Sequence, residues 1–71
     1  MTDNVYAVTE VVGTSSESAE AAISNAVETA ARTLRDLNWF KVTEIDGHIE
    51  NGKVAYFQVM VKLGFRYEKH S

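Results

Sequence analysis

Two side chains suggest recognition chemistry rather than proton transfer: Trp39 and Gln58. An indole presents a flat apolar face that serves either as a stacking platform for a planar ligand or as a hydrophobic anchor between subunits. Gln58 interrupts an apolar stretch with one acceptor and two donors. Those groups match a pyrimidine edge, and they equally suit a solvated or backbone-bonded glutamine. The groups needed for catalysis are not assembled in the same way. His48 and His70 lie far apart, with no carboxylate cluster at metal-ligand spacing, and cysteine is absent. No Ser/His/Asp grouping and no Gly-rich phosphate loop is present. Gly13-Thr14-Ser15 before a helix could offer N–H groups to an anion, but capping accounts for it.

The composition narrows the setting for these residues. The chain has 71 residues and a formal net charge of −3. A chain of this size builds a thin core and usually needs a disulfide, a metal or partner subunits. Cysteine and metal clusters being excluded, oligomerisation is the expected stabiliser. The basic residues are scattered among acids, which argues against nucleic acid. No basic start leads into an apolar run, and no stretch approaches the roughly 18 apolar residues of a membrane span. A soluble cytoplasmic protein of one domain, residues 1–71, is expected.

The elements that must position Trp39 and Gln58 follow from periodicity. Val5 to Val12 is rich in β-formers and reads as a strand ended by Gly13. Thr14-Ser15-Ser16-Glu17 forms a capping box. Behind it Ala19, Ala22, Ile23, Ala26, Val27, Ala30, Leu34 and Leu37 step by three and four, predicting one helix from Ser15 to Asn38. Such a helix would be roughly 35 Å long, with Arg32 and Arg35 near its C-terminal end, where the macrodipole favours cations. Its alanines would let a sheet approach closely. Trp39 to Ile49 and Lys53 to Tyr67 read as two further strands, joined by Asn51-Gly52 in a type I′ turn. The fold class is therefore α+β, with a three-stranded antiparallel sheet against one long helix.

A two-residue turn also fixes a register. Without a bulge, Ile45 falls opposite Gln58, Thr43 opposite Met60, Lys41 opposite Lys62 and Trp39 opposite Gly64. Phe40, Val42, Phe57, Val59, Val61, Leu63 and Phe65 then share the face that covers the helix. The other face carries Trp39, Thr43, Ile45, Tyr56, Gln58 and Met60, an apolar patch that nothing else in the chain covers. Along the third strand Trp39 and Gln58 are separated by roughly 20 Å at ~3.3 Å per residue. That is too far for one small planar ligand to touch both side chains of one chain.

Val11-Val12-Gly13-Thr14-Ser15, Thr33-Leu34-Arg35, Asn38-Trp39-Phe40-Lys41-Val42, Asn51-Gly52-Lys53-Val54, Phe57-Gln58-Val59 and Lys62-Leu63-Gly64-Phe65-Arg66 together resemble the bacterial dodecins, in order and over nearly the whole chain. The resemblance implies a β-α-β-β protomer in a hollow homododecamer. It implies flavins, mostly FMN with riboflavin or FAD as the alternatives, stacked in pairs between tryptophans near two-fold axes, with storage and photoprotection rather than turnover as the role. Trp39 matches the stacking tryptophan and Gln58 the glutamine that bonds the isoalloxazine edge; Asn38, in the tryptophan's motif, and Asp46, at a position expected near the flavin, are further candidate flavin-binding residues. Several members also bind coenzyme A at a separate site. Arg35 and Arg66 are the candidate phosphate partners here, with ion pairing to surface acids as the alternative.

This chain departs from the family at two positions. Asp46 stands where many bacterial members carry arginine near the flavin or its phosphate, and Ala7 replaces a residue that is commonly basic. A carboxylate at Asp46 repels phosphate, so it weighs against FMN relative to riboflavin. A protomer that holds no ligand, and one that holds only coenzyme A, are the competing functional expectations.

Overall fold

The computed structural model describes residues 4–67, and His70 lies outside them. Strand β1 (Tyr6–Ser15) leads to helix α1 (Ala19–Ala30), followed by strands β2 (Leu37–Glu50) and β3 (Lys53–Arg66). The sheet is antiparallel with order β1-β3-β2, so the most apolar strand is central. Val59, Val61 and Leu63 of β3 are fully buried against Ala22 and Ala26 of α1. Val11, Ile23, Val27, Leu37 and Val42 complete this core.

The helix is shorter than the apolar stripe predicts. Its 12 residues span about 18 Å. The cap is Ser18, whose Oγ accepts from the Ala21 N–H at 3.0 Å, and not the predicted Thr14 box. Two sheet contacts explain the shift. Gly13 does not end β1, and the ladder continues through Thr14 opposite Gln58 and Ser15 opposite Phe57. The Ser15 hydroxyl instead accepts from the Glu17 N–H at 3.0 Å in the connecting turn. At the far end, Asp36 takes a left-handed conformation (φ 59°), which aspartate tolerates. That reversal lets Leu37 join the sheet opposite Phe65. Arg32 and Arg35 therefore lie beyond the helix, whose last turn carries no basic residue.

Gly13 explains how helix and sheet come so close. An added Cβ would overlap the Ala22 carbonyl oxygen and lie 2.9 Å from the Ala26 Cβ. The small-residue face of α1 thus meets a strand with no side chain at the crossing. The helix sits over β1 and β3 and leaves β2 largely uncovered. Phe40, expected beneath the helix, is consequently 53% exposed.

The β2–β3 hairpin turns at Asn51 and Gly52, both with positive φ (53° and 74°), as a type I′ turn requires. Beyond the turn the register departs from the unbulged ladder. Ala55 is an extra residue in β3 between the pairs Ile49–Val54 and His48–Tyr56. Thr43 is an extra residue in β2 between Glu44–Met60 and Val42–Val61, and its hydroxyl donates to the Met60 carbonyl at 3.2 Å. Between these bulges β2 is offset by one residue, so Asp46 rather than Ile45 faces Gln58, and Glu44 rather than Thr43 faces Met60. Ile45 moves to the helix side opposite Val59, where it remains 58% exposed on the uncovered strand. Past Thr43 the two offsets cancel, and Trp39 pairs with Gly64 as expected. Both hairpin strands have 14 residues and outrun the helix, giving an elongated shape of 57 × 20 × 14 Å.

Candidate functional site

Trp39 enters β2 immediately after Asn38, a third extra residue between the pairs Leu37–Phe65 and Trp39–Gly64. Its indole lies over Gly64. An added Cβ on that glycine would overlap Cε2, Cζ2 and Nε1 of the ring at similar depth, as expected for approach to the ring face rather than its rim. One face of the indole is therefore covered by backbone, and the residue remains 42% exposed. Val8 flanks Gly64 on its other side and is 51% exposed, so the ring borders an open apolar strip. Asn38 is exposed beside it.

Gln58 lies on the same sheet face as Trp39. It is half-buried, and its side chain makes no hydrogen bond to another described residue. Its cross-strand neighbours are Asp46 on β2 and Thr14 on β1. The next pair on this face toward the turn is His48–Tyr56, with rings stacked at 5.3 Å and 17°. His48 Nε2 also lies 3.6 Å from a Glu50 carboxylate oxygen. The Gln58 amide is thus surrounded by a carboxylate, a threonine and an aromatic pair.

From Gln58 to Gly64 the β3 ladder runs without an extra residue on β3, since Thr43 belongs to β2 and Ala55 precedes Gln58. At ~3.3 Å per residue the two positions are roughly 20 Å apart. The bulges leave the separation inferred from the sequence intact. Trp39 and Gln58 share a face without sharing a pocket.

Arg35 and Arg66 are brought together although they are far apart in sequence. With Asp36, Phe65 and Tyr67 they line an open cleft of about 330 Å³, and the Arg66 N–H donates to the Asp36 carbonyl at 3.2 Å. Neither guanidinium makes an ion pair with a described residue. The proximity was not readable from sequence, because it depends on the left-handed turn at Asp36. A larger groove of about 700 Å³ runs between β1 and α1, lined by aliphatic side chains, threonines and Asn25, with no ionisable group. Among the described residues no three His, Asp or Glu side chains cluster for a metal ion, and no helix is long and apolar enough to cross a membrane.

Gly13-Thr14-Ser15 is strand, not an anion loop, with the Thr14 carbonyl accepting from Asn25 Nδ2 at 3.0 Å. Among the large exposed apolar residues, Tyr6, Val8, Val12, Trp39 and Tyr56 lie on the open sheet face, Phe40 and Ile45 lie on the helix side along β2, and Ile49 and Val54 pair beside the hairpin turn. The arrangement offers stacking, amide recognition and association surfaces.

The family model for dodecin matches residues 5–68. Over 65 residues the chain is 49% identical to dodecin from Thermus thermophilus, an overlap covering 92% of this chain and 94% of that protein. The solved structure of dodecin from Streptomyces coelicolor is 53% identical with a TM-score of 0.91, over 99% of this chain and 100% of that one. Dodecin from Streptomyces davaonensis is 41% identical with a TM-score of 0.89, over 96% and 100% of the two chains.

Proposed function

The chain belongs to the dodecin family, and from that premise we propose that it is a non-enzymatic protomer of a homododecamer that binds and sequesters flavin. The observation that carries the reading is the indole of Trp39, backed by Gly64 on one face in a residue that remains 42% exposed. A one-sided aromatic platform suits a planar ring better than a globular anchor, because the covered face holds the ring plane fixed. Bound flavin would supply a planar ring that absorbs visible light. Trp39 stacks on that ring, and Gln58 offers its amide to the pyrimidine edge of a ring held against a different subunit, as their ~20 Å separation requires. The uncovered apolar residues of both faces are what subunit contacts would bury.

The direct test is the visible absorption of the protein as purified, and then of flavin added to it. Yellow protein whose flavin emission is strongly quenched supports the reading. Colourless protein that leaves added flavin fully fluorescent rejects it.

Asp46 gives a sharper expectation. Its carboxylate stands directly across the strand from Gln58, where side chains approach to about 5 Å. Glu44 lies on the same face two residue pairs away, opposite Met60. Both carboxylates would repel a ligand phosphate held within a Debye length of them, about 10 Å at 0.1 M salt. FMN is therefore expected to bind no more than about threefold tighter than riboflavin, less than 1 kcal/mol. Parallel titrations check this, and a large FMN advantage means that a cation elsewhere answers the phosphate.

Coenzyme A is the second reading, favoured by the joint placement of Arg35 and Arg66 in one cleft with Phe65 and Tyr67. Two guanidiniums beside aromatic rings suit a phosphorylated adenine nucleotide. This cleft and the Trp39 platform are separate surfaces, so the two ligands are compatible.

A further inference from the structure

We infer that Gly64 is a positioning residue for the Trp39 indole: it is the flat seat that fixes the ring plane, and it acts on a ligand only through that ring. Gly64 is buried on the central strand, between Val8 of β1 and Trp39 of β2. Glycine inside a strand weakens it, so a reason is required. Backbone conformation is not the reason, since among the described glycines only Gly52 has a left-handed φ. Space is the reason. A Cβ at Gly64 would penetrate the face of the indole, whereas one at Gly47, in the same hairpin, would meet only the Tyr56 carbonyl at an ordinary 3.4 Å.

With a methyl group at position 64 the indole must swing off the strand. Its covered face then becomes accessible, and its open face loses the fixed plane on which a second ring can lie. The protein contains a single tryptophan, so its intrinsic emission reports this ring alone. The seat can therefore be read with no ligand present, while the effect on binding rests on the flavin reading above.

The experiment compares wild type, Gly64→Ala and the control Gly47→Ala, with assembly state checked by sedimentation. Ligand-free Gly64→Ala should show red-shifted tryptophan emission and increased quenching by acrylamide, and Gly47→Ala should show neither. If wild type binds flavin, Gly64→Ala should bind it about tenfold more weakly, the low end of what losing one stacking contact costs. In a Trp39→Ala background, Gly64→Ala should change flavin affinity by less than about twofold, because the effect passes through the ring. Unchanged tryptophan emission and accessibility in Gly64→Ala overturns the inference. So does an affinity loss that persists in the Trp39→Ala background. Changed tryptophan emission in a protein that never binds flavin rejects the flavin reading and leaves the seat standing. If Gly64→Ala does not assemble, Trp39→Ala combined with Gly64→Ala decides: recovered assembly confirms the clash, and continued failure overturns it.

Discussion

Trp39→Ala is expected to lower flavin affinity by one to two decades, and to raise the fluorescence of flavin that still binds toward its free value. The affinity change follows from stacking worth about 1–3 kcal/mol, taking base–aromatic stacking as the guide. The optical change has a separate cause. Indole is an easily oxidised donor, so at stacking distance it transfers an electron to an excited flavin and suppresses emission. Trp39→Phe should separate the two effects, recovering much of the affinity but less of the quenching, because phenyl stacks yet donates electrons poorly. Gln58→Ala should weaken binding and leave the quenching of bound flavin nearly intact, since its contact is with the ring edge. Fluorescence titration of the four proteins reads both quantities. If Trp39→Ala instead disassembles the oligomer while refolded protomer still quenches flavin, Trp39 is an interface anchor and the flavin site lies elsewhere.

The second large effect concerns the core. Gly13→Ala is expected to destabilise the protein by about 1–3 kcal/mol, as overpacking usually does. An exposed glycine-to-alanine change in a strand would on propensity alone be neutral or stabilising. The sign is reversed here because the new methyl group meets the Ala22 carbonyl, which is backbone and cannot rotate aside. Lifting α1 to make room would expose Val59 and Val61, both fully buried now. In a domain this small 1 kcal/mol is roughly 4–8 °C of melting temperature. Gly13→Val should therefore lower the midpoint further than Gly13→Ala. Thermal unfolding at one fixed protein concentration checks both, since assembly makes the midpoint concentration-dependent. Midpoints equal to wild type contradict the packing account.

Why the sequence conveyed some of this and not the rest can be traced to individual residues. Asn51-Gly52 identified the hairpin because type I′ geometry demands positive φ twice, and both residues adopt it. The pairing of Trp39 with Gly64 was correct for a less direct reason. Ala55 adds a residue to β3, Thr43 adds one to β2, and the two offsets cancel before Trp39 is reached. Neither alanine nor threonine announces a bulge. The stretch between them was therefore misassigned, and the Asp46–Gln58 juxtaposition was not foreseen.

The helix was overdrawn for a related reason. Leu34 and Leu37 continue the apolar period of α1, but the reversal at Asp36 hands Leu37 to the sheet. An apolar residue serves either partner, and periodicity cannot say which. Ser18 lost to Thr14 as the expected cap because Thr14-Ser15-Ser16-Glu17 satisfies the capping pattern locally. The ladder with β3 claims Thr14 and Ser15 first. Trp39 and Gln58 stand out in the sequence because each departs in kind from its neighbours, and the structure places them on one sheet face. The cleft shared by Arg35 and Arg66 was not, because only the tertiary fold brings them together.

Native mass spectrometry of the untreated protein tests the central claim most directly, because it reports subunit number and bound mass together. The expected spectrum is a dodecamer carrying flavin, with additional mass if coenzyme A occupies the arginine cleft. A monomer or dimer with no flavin mass, at a concentration where added flavin also fails to bind, contradicts it.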